Sequence, residues 1–278
     1  MYVEHLRIPV GAGTVHVERM GRGGHPVVLI HGFGSCTFLW RRLAPTLAMA
    51  GFTSLAVDLL GHGESDRPED ASYGLSAQAE YVARALAALR VPAAVVVGQD
   101  IGALVALELA ATHPLRATGV ALLSPPDPDD LPGPELRALQ RSAARLALTA
   151  NTLFGAHPAL ATLLRAGVTD PANMPDRLIA RYLAPWVGTD GFSQLIQRAG
   201  SVEWDDASRA RLRDVALPML VLEPEDASLR PTVDWTQRLP RATVSMERIP
   251  GAGRLLTEDA PDALSTALIG WLAGQRSA

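Results

Sequence analysis

Short apolar runs and segments of helical periodicity alternate along most of the chain. Val27–Ile30, Val95–Val97 and Met219–Leu222 are apolar at every position, which is typical of strands buried on both faces of a parallel sheet. Segments such as Leu75–Arg90 repeat apolar residues at helical spacing, which predicts amphipathic helices. Strands that alternate with helices favour an α/β fold with a mostly parallel, doubly wound sheet.

The pattern changes between residues 127 and 214, where helical spacing continues and no convincing strand appears. Proline, glycine and aspartate interrupt this stretch at several points, as expected for turns between short helices. We predict that residues 1–126 and 215–278 form the α/β core domain. Residues 127–214 are predicted to form a helical cap inserted into that core.

A candidate reactive residue lies directly after one of the apolar runs. Val95–Val97 lead into Gly98, Gln99, Asp100, Ile101 and Gly102, and helix-forming residues follow. This order predicts a nucleophile elbow, a sharp strand-to-helix turn that exposes its central side chain. The flanking glycines fit, because a Cβ at either position would collide with the neighbouring strand or helix. The alternative is that Asp100 only caps the helix.

Charge and composition restrict the partners and cofactors. The net charge is −4 with no basic cluster, so nucleic acid and anionic membranes are not expected partners. No transmembrane segment or signal peptide is predicted, and we expect a cytoplasmic protein. Cys36 is the single cysteine and lysine is absent, which excludes a disulfide within the chain, a cysteine-rich metal site and a Schiff base. We therefore expect no metal and no other cofactor. The oligomeric state is left open, with a homodimer as one candidate.

Four segments together resemble the α/β-hydrolase superfamily. They are the HGFG loop at His31–Gly34, the segment Asp58–Pro68, the elbow Gly98–Gly102 and the Pro-Gly-Ala-Gly run at 250–253. An elbow Asp preceded by Gln99 is similar to the haloalkane dehalogenase and epoxide hydrolase branch. The resemblance implies an α/β-hydrolase fold with an inserted helical cap, and a ligand bound at the carboxyl ends of the strands.

The resemblance also implies a mechanism and its contacts. In that branch the elbow Asp attacks carbon to form an ester, and a His–acid pair activates the water that hydrolyses it. The backbone N–H groups of Phe33 and Ile101 would form the oxyanion or halide pocket. Tyr182 would polarise an epoxide from the cap, unless it is simply a core residue. Trp186 belongs to the apolar cap residues that either pack on the sheet or line the space above Asp100.

The chain departs from this branch at the positions that complete the mechanism. Arg254 stands where the resemblance places the histidine, and an arginine stays protonated and cannot accept a proton. Ala227 stands at the expected acid, with Asp226 one residue early. Ser124 and Asp127 follow the earlier strand, where some dehalogenases carry the acid. We predict that Arg254 faces Asp100 across the pocket, with an outward-pointing arginine as the alternative.

Another histidine would have to replace the missing base. His31 and His62 lie in loops that reach the same edge of the sheet, and each is a candidate base or a brace for its loop. Without a base, an ester on Asp100 would stall, since general-base assistance contributes ~10²–10⁴-fold.

We therefore predict an enzyme that acts without a cofactor on an apolar electrophilic or enolisable small molecule. The expected reaction is non-hydrolytic, such as a cyclisation, an elimination or C–C bond formation in natural-product biosynthesis. Asp100 would act as base or anchor and Arg254 as the charge stabiliser. Two alternatives stay open: a hydrolase of the epoxide hydrolase or dehalogenase type, and a ligand-binding pseudoenzyme.

Overall fold

The computed structural model describes residues 2–134, 136–138, 140–141, 157–187, 190–229 and 233–275. Eight strands form one sheet in the order β1-β2-β4-β3-β5-β6-β7-β8. In chain order the strands β1 to β8 are Val3–Pro9, Thr14–Met20, His25–Ile30, Phe52–Val57, Ala94–Gln99, Ala117–Leu123, Pro218–Pro224 and Thr243–Ile249. Strands β3 to β8 pair in parallel, whereas the β1–β2 and β2–β4 pairs are antiparallel. The predicted doubly wound, mostly parallel α/β sheet is confirmed.

Helices cover both faces of this sheet. Those with described bounds are α1 to α10, at Leu43–Met49, Leu75–Ala88, Ile101–Thr112, His157–Ala166, Asp176–Leu183, Gly191–Gly200, Asp206–Leu212, Trp235–Arg238, Leu256–Asp259 and Pro261–Gln275. Helix α3 follows the elbow and is buried from Ile101 to Ala110, which explains its apolar sequence. Among the described residues, no helix combines the length and apolar character needed to span a bilayer.

Between β6 and β7 the regular elements that the structure describes are helices and short 3-10 turns joined by irregular loops, and no strand occurs in that described part. Helices α4 to α7 lie in this stretch, within the region predicted as the cap. The exact limits of the cap domain stay a prediction. Several apolar residues predicted to pack there lie outside the described residues, among them Leu146, Leu148, Leu153 and Phe154.

One predicted helix is divided in the structure. The periodicity predicts a helix over about 37–50, but Thr37–Trp40 form a short 3-10 turn and α1 begins only at Leu43. Pro45 explains the break, because it lacks an N–H and its ring would clash with the carbonyl of Arg41 in a continuous helix. In the first turn of α1 the same proline is tolerated.

Candidate active site

Asp100 occupies the predicted elbow, with a positive φ of 54° at the junction of β5 and α3. A Cβ on Gly98 would lie 2.1 Å from the Gly102 carbonyl oxygen, and a Cβ on Gly102 would lie 2.3 Å from the Ile30 carbonyl oxygen. Only glycine fits so close to backbone atoms, which confirms the steric reason given for both positions. Asp100 sits at the N-cap of α3 but makes no side-chain capping hydrogen bond, so the capping alternative does not explain it.

The HGFG loop contacts the Asp100 carboxylate directly. The Phe33 N–H donates to Asp100 Oδ2 at 3.0 Å, and a Cβ on Gly32 would lie 2.9 Å from the same oxygen. The amide predicted to bind a substrate oxygen therefore binds the carboxylate of the elbow, a charge-assisted contact that orients it. Ile101 begins α3, where the first N–H groups have no partner within the helix.

A cavity of about 480 Å³ opens over Asp100 at the carboxyl ends of β3, β5 and β6. Its described wall also contains Phe33, Gln99, Ile101 and Arg254, so these predicted site residues lie around one space. Most of the remaining wall is apolar and comes from Leu39, Pro125, Pro126, Leu131, Leu136, Leu163, Leu164, Leu229 and Leu255. Such a lining suits a small molecule with an apolar body.

Three polar groups in this wall have no hydrogen-bond partner. Ser35 Oγ, Gln99 Oε1 and Ser124 Oγ are buried and unpaired, and all three residues line the described cavity. Ser124 also has a positive φ of 43°, uncommon for a residue with a side chain. Because buried polar groups are normally paired, these atoms are available to a bound molecule. Sequence reasoning missed Ser35, although its place directly after the HGFG loop was a usable signal.

Arg254 is half-buried in the loop between β8 and α9, and it shares the cavity wall with Asp100. Its carbonyl oxygen accepts from Gln99 Nε2 at 3.4 Å, which joins this loop to the elbow. The preceding residue is also held, because the Gly253 N–H donates to Asp259 Oδ2 at 2.6 Å. A direct charge interaction of Arg254 with the reacting molecule stays a prediction.

His31 does not fit the role of catalytic base. It is fully buried, its Nδ1 lies 2.8 Å from the Gly32 carbonyl oxygen, and its Nε2 accepts from the Leu59 N–H at 3.1 Å. Burial lowers its pKa, so the ring is neutral and both nitrogens are used. The geometry corresponds to the alternative reading, in which His31 braces its loops.

His62 is also buried and packs edge-on against Trp186. Burial and the nearby His31 hold its pKa well below the usual value. Cys36 is buried as well, and burial raises its thiol pKa to about 12, so it is a packed thiol and not a thiolate nucleophile. Neither His62 nor Cys36 is in the described cavity wall.

The two aromatic residues predicted to contact substrate have other partners. Trp186 is buried, its Nε1 donates to the Gly34 carbonyl oxygen at 3.1 Å, and it is absent from the described wall. Tyr182 reaches the wall, but its hydroxyl donates to the buried carboxylate of Glu258. Burial and that carboxylate raise the Tyr182 pKa well above the usual value. Both polar groups have partners within the chain in this geometry, which favours the alternative reading as core residues, and their roles toward a substrate stay predictions.

The acids considered as partners of a base are bound elsewhere. Asp226 accepts from the N–H and the hydroxyl of Ser228, both at 2.8 Å. Asp127 lines the cavity and forms an ion pair of 3.2 Å with Arg238. At the end of β7, buried Glu223 pairs with Arg248.

Sequence comparison agrees with this architecture. The family model described as alpha/beta hydrolase fold matches residues 25–195. Bifunctional epoxide hydrolase 2 of Rattus norvegicus is 35% identical over 143 residues, which cover 49% of this chain and 26% of that protein. A haloalkane dehalogenase of Mycobacterium marinum is 40% identical over 99 residues, which cover 35% of this chain and 33% of that protein. The match thus spans between a quarter and a third of the length of these relatives.

Structural comparison extends over nearly the whole chain. Cfl2 from Burkholderia cenocepacia superposes with a TM-score of 0.75 and 26% identity, covering 96% of this chain and 95% of that one. The family model covers more than half of the sequence, and the sheet order, the elbow and the HGFG loop are all in place. The chain therefore belongs to the α/β hydrolase fold family, and its homologues include epoxide hydrolases and haloalkane dehalogenases.

Proposed function

We propose that this protein is a non-hydrolytic enzyme of the α/β hydrolase fold that uses Asp100 as a base or anchor without forming an ester. One observation carries the proposal: the described wall of the Asp100 cavity contains Arg254 and no histidine. An ester on Asp100 needs a base to activate water, and a guanidinium has no lone pair to offer.

The other histidines support this reading. Six histidines have described side chains, and none of them lines the described cavity wall. His5 and His16 contact each other, His25 is exposed to solvent, and His113 lies 2.9 Å from Glu80. His31 and His62 are buried in the core. The side chain of His157 lies outside the described residues. The segments without a structural description contain no histidine.

The proposed chemistry is proton transfer at carbon. The Asp100 carboxylate would remove a proton next to a carbonyl group, and the electron pair would pass to the carbonyl oxygen as an enolate. The Arg254 guanidinium supplies a positive charge for that oxygen in a partly apolar site, where such stabilisation is strongest. The enolate then expels a leaving group or attacks a second carbon, which corresponds to elimination or cyclisation.

The cavity also suggests the kind of substrate. Its leucine and proline wall suits an apolar body, whereas Ser35, Gln99 and Ser124 offer hydrogen bonds near Asp100. We propose an oxygenated small molecule that is apolar over most of its length. A neutral hydrogen bond of this kind contributes ~0.5–1.5 kcal/mol to binding.

A second candidate function is hydrolysis of an epoxide or haloalkane. The names of the relatives favour it, and so does the amide contact to Asp100 Oδ2, which orients the carboxylate for attack on carbon. A ligand-binding pseudoenzyme would share the cavity with both enzymes but would catalyse nothing.

An assay with styrene oxide in water labelled with a heavy oxygen isotope distinguishes these functions. A two-step hydrolase turns over repeatedly and incorporates heavy oxygen into the Asp100 carboxylate, because water attacks its acyl carbon. We expect no diol above background and no label in the peptide that contains Asp100, measured by mass spectrometry. A stalled adduct of one styrene oxide on Asp100 would show a nucleophile without its base. Sustained diol formation with label in that peptide would contradict the proposal, and His157→Ala would then test the remaining histidine.

Exchange of the α-hydrogens of benzylacetone in deuterated water tests the role of Arg254. Arg254→Ala should lose ~2–4 kcal/mol of transition-state stabilisation, which makes the exchange roughly 30-fold to 10³-fold slower, whereas Arg254→Lys should keep part of the rate. Proton NMR measures the exchange, and Arg213→Ala removes an exposed arginine as the control. Equal rates in all four proteins would remove Arg254 from the mechanism.

A further inference from the structure

Two histidines and a glutamate meet on one face of the β1–β2 hairpin, away from the cavity. His5 lies directly opposite Glu18 in the antiparallel ladder, and His16 precedes Glu18 by two residues, so all three side chains share a face. One nitrogen of each histidine and one carboxylate oxygen of Glu18 lie within 4.8 Å of one another. None of these residues lines the described cavity wall.

His16 is held in the way that proteins hold a metal-binding histidine. Its Nδ1 lies 2.8 Å from Asp58 Oδ2, and both side chains are buried. An ionised carboxylate only accepts, so Nδ1 carries a hydrogen, and in the neutral ring the lone pair is on Nε2, which faces His5. A carboxylate behind the imidazole fixes the ring and increases its basicity, as it does in carboxylate–histidine–zinc arrangements.

Asp58 is itself held in place by backbone N–H groups. It accepts the Thr37 N–H at 2.6 Å and the Glu64 N–H at 2.9 Å, in addition to the His16 ring. The carboxylate behind His16 is thus fixed in position and orients the ring.

The three ligand atoms are spaced closely enough for one ion. His5 Nδ1 lies 3.0 Å from His16 Nε2 and 3.9 Å from Glu18 Oε1. Two ligands at about 2.0–2.1 Å from a tetrahedral zinc are about 3.3 Å apart, so the two histidine nitrogens must separate slightly and the Glu18 carboxylate must move closer by at least about half an ångström. The exposed Glu64 carboxylate approaches His16 Nε2 to 3.8 Å and is near enough to complete the set.

We propose that His5 Nδ1, His16 Nε2 and the Glu18 carboxylate form a zinc site, with Glu64 as the fourth ligand. The composition suits Zn²⁺, which favours imidazole nitrogens together with a carboxylate. The His5 side chain is 60% exposed and Glu18 is 30% exposed, so an ion can enter from solvent. A bound ion would tie the edge hairpin to the Asp58–Glu64 segment. The sequence expectation of no metal rested on the cysteine count and did not consider this cluster.

Titration of the full-length, EDTA-treated protein with Zn²⁺ and Co²⁺ tests the site. We expect one equivalent of Zn²⁺ by calorimetry, and visible absorption bands of four-coordinate Co²⁺ that Zn²⁺ displaces. His5→Ala and Glu18→Gln should each weaken binding at least tenfold, since even the removal of supporting groups costs ~10–100-fold. The control is His25→Ala, which removes an exposed histidine outside the cluster and should bind like the wild type.

A thermal shift gives a second readout. At a hundredfold excess over Kd, Zn²⁺ should raise the Tm of the wild type by roughly 5 °C and leave the Tm of His5→Ala unchanged. The proposal is overturned if the wild type binds no stoichiometric ion, or if His5→Ala and Glu18→Gln bind it as tightly as His25→Ala.

Discussion

Asp100→Asn is expected to reduce the exchange of benzylacetone α-hydrogens to the background rate. The amide keeps the size and hydrogen-bonding shape of the side chain but carries no charge and accepts no proton at neutral pH. A positioned base contributes ~10²–10⁴-fold, so a loss of this size follows from its removal. The fold should persist, because asparagine is among the residues that tolerate a positive φ such as the 54° at this elbow.

The control for this substitution is Asp214→Asn, which changes an exposed aspartate paired with Arg241. Circular dichroism and thermal unfolding of both variants check that the fold is retained. A rate for Asp100→Asn within twofold of Asp214→Asn would contradict the assignment of Asp100 as the base. Absence of exchange in the wild type as well would favour the ligand-binding pseudoenzyme.

Glu258→Ala is expected to lower the free energy of unfolding by about 3 kcal/mol, more than any other substitution considered for this protein. The Glu258 side chain is 1% exposed. Its carboxylate accepts hydrogen bonds from both terminal nitrogens of Arg41, each at 2.7 Å, and from the Tyr182 hydroxyl. Removing one member of a buried ion pair leaves the other charge unpaired, which costs ~3–5 kcal/mol. We take the lower end because Arg41 is 27% exposed and regains some hydration.

Thermal or denaturant unfolding measures this loss, and a change of about 3 kcal/mol corresponds to a Tm roughly 5 °C lower for a domain of this size. The exposed Arg241–Asp214 pair provides the matched control, since Arg241→Ala should cost less than ~1 kcal/mol. An equal loss in both variants would show that the contacts of Glu258 do not hold α5 and α9 against the turn that precedes α1.

The sheet and the elbow were predictable because their signals are local. An apolar run such as Val95–Val97 can be stable only between other strands and helices, and its burial on both faces indicates a parallel sheet. Gly98 and Gly102 indicate a close approach of backbone atoms, which the contacts to Gly102 and Ile30 bear out. The divided helix at 37–50 was missed because the apolar spacing continues across Pro45, although a proline often marks a helix start.

The candidate site was predicted in outline and not in its contacts. The ends of neighbouring parallel strands meet at one edge, so Asp100 and Ser124 had to be near each other. The contacts of Tyr182 and Trp186 were beyond a sequence argument, because each polar group pairs with a residue more than seventy positions away. Likewise, periodicity places His16 on a strand and says nothing of Asp58 behind it.

The sequence by itself determined the fold class, the elbow and the chemical limits of the site: a carboxylate at position 100 and an arginine at position 254. These follow from residue type and local spacing, which no later packing can alter. Only the tertiary structure decided which polar groups are available. Both nitrogens of His31 and the hydroxyl of Tyr182 have hydrogen-bond partners, whereas Ser35 Oγ, Gln99 Oε1 and Ser124 Oγ are left unpaired in the cavity wall. The fold also sets His5 beside His16. The physical reason is that a buried polar group pairs with whichever polar group the fold brings close to it. That partner is set by distance in space and not by spacing along the sequence.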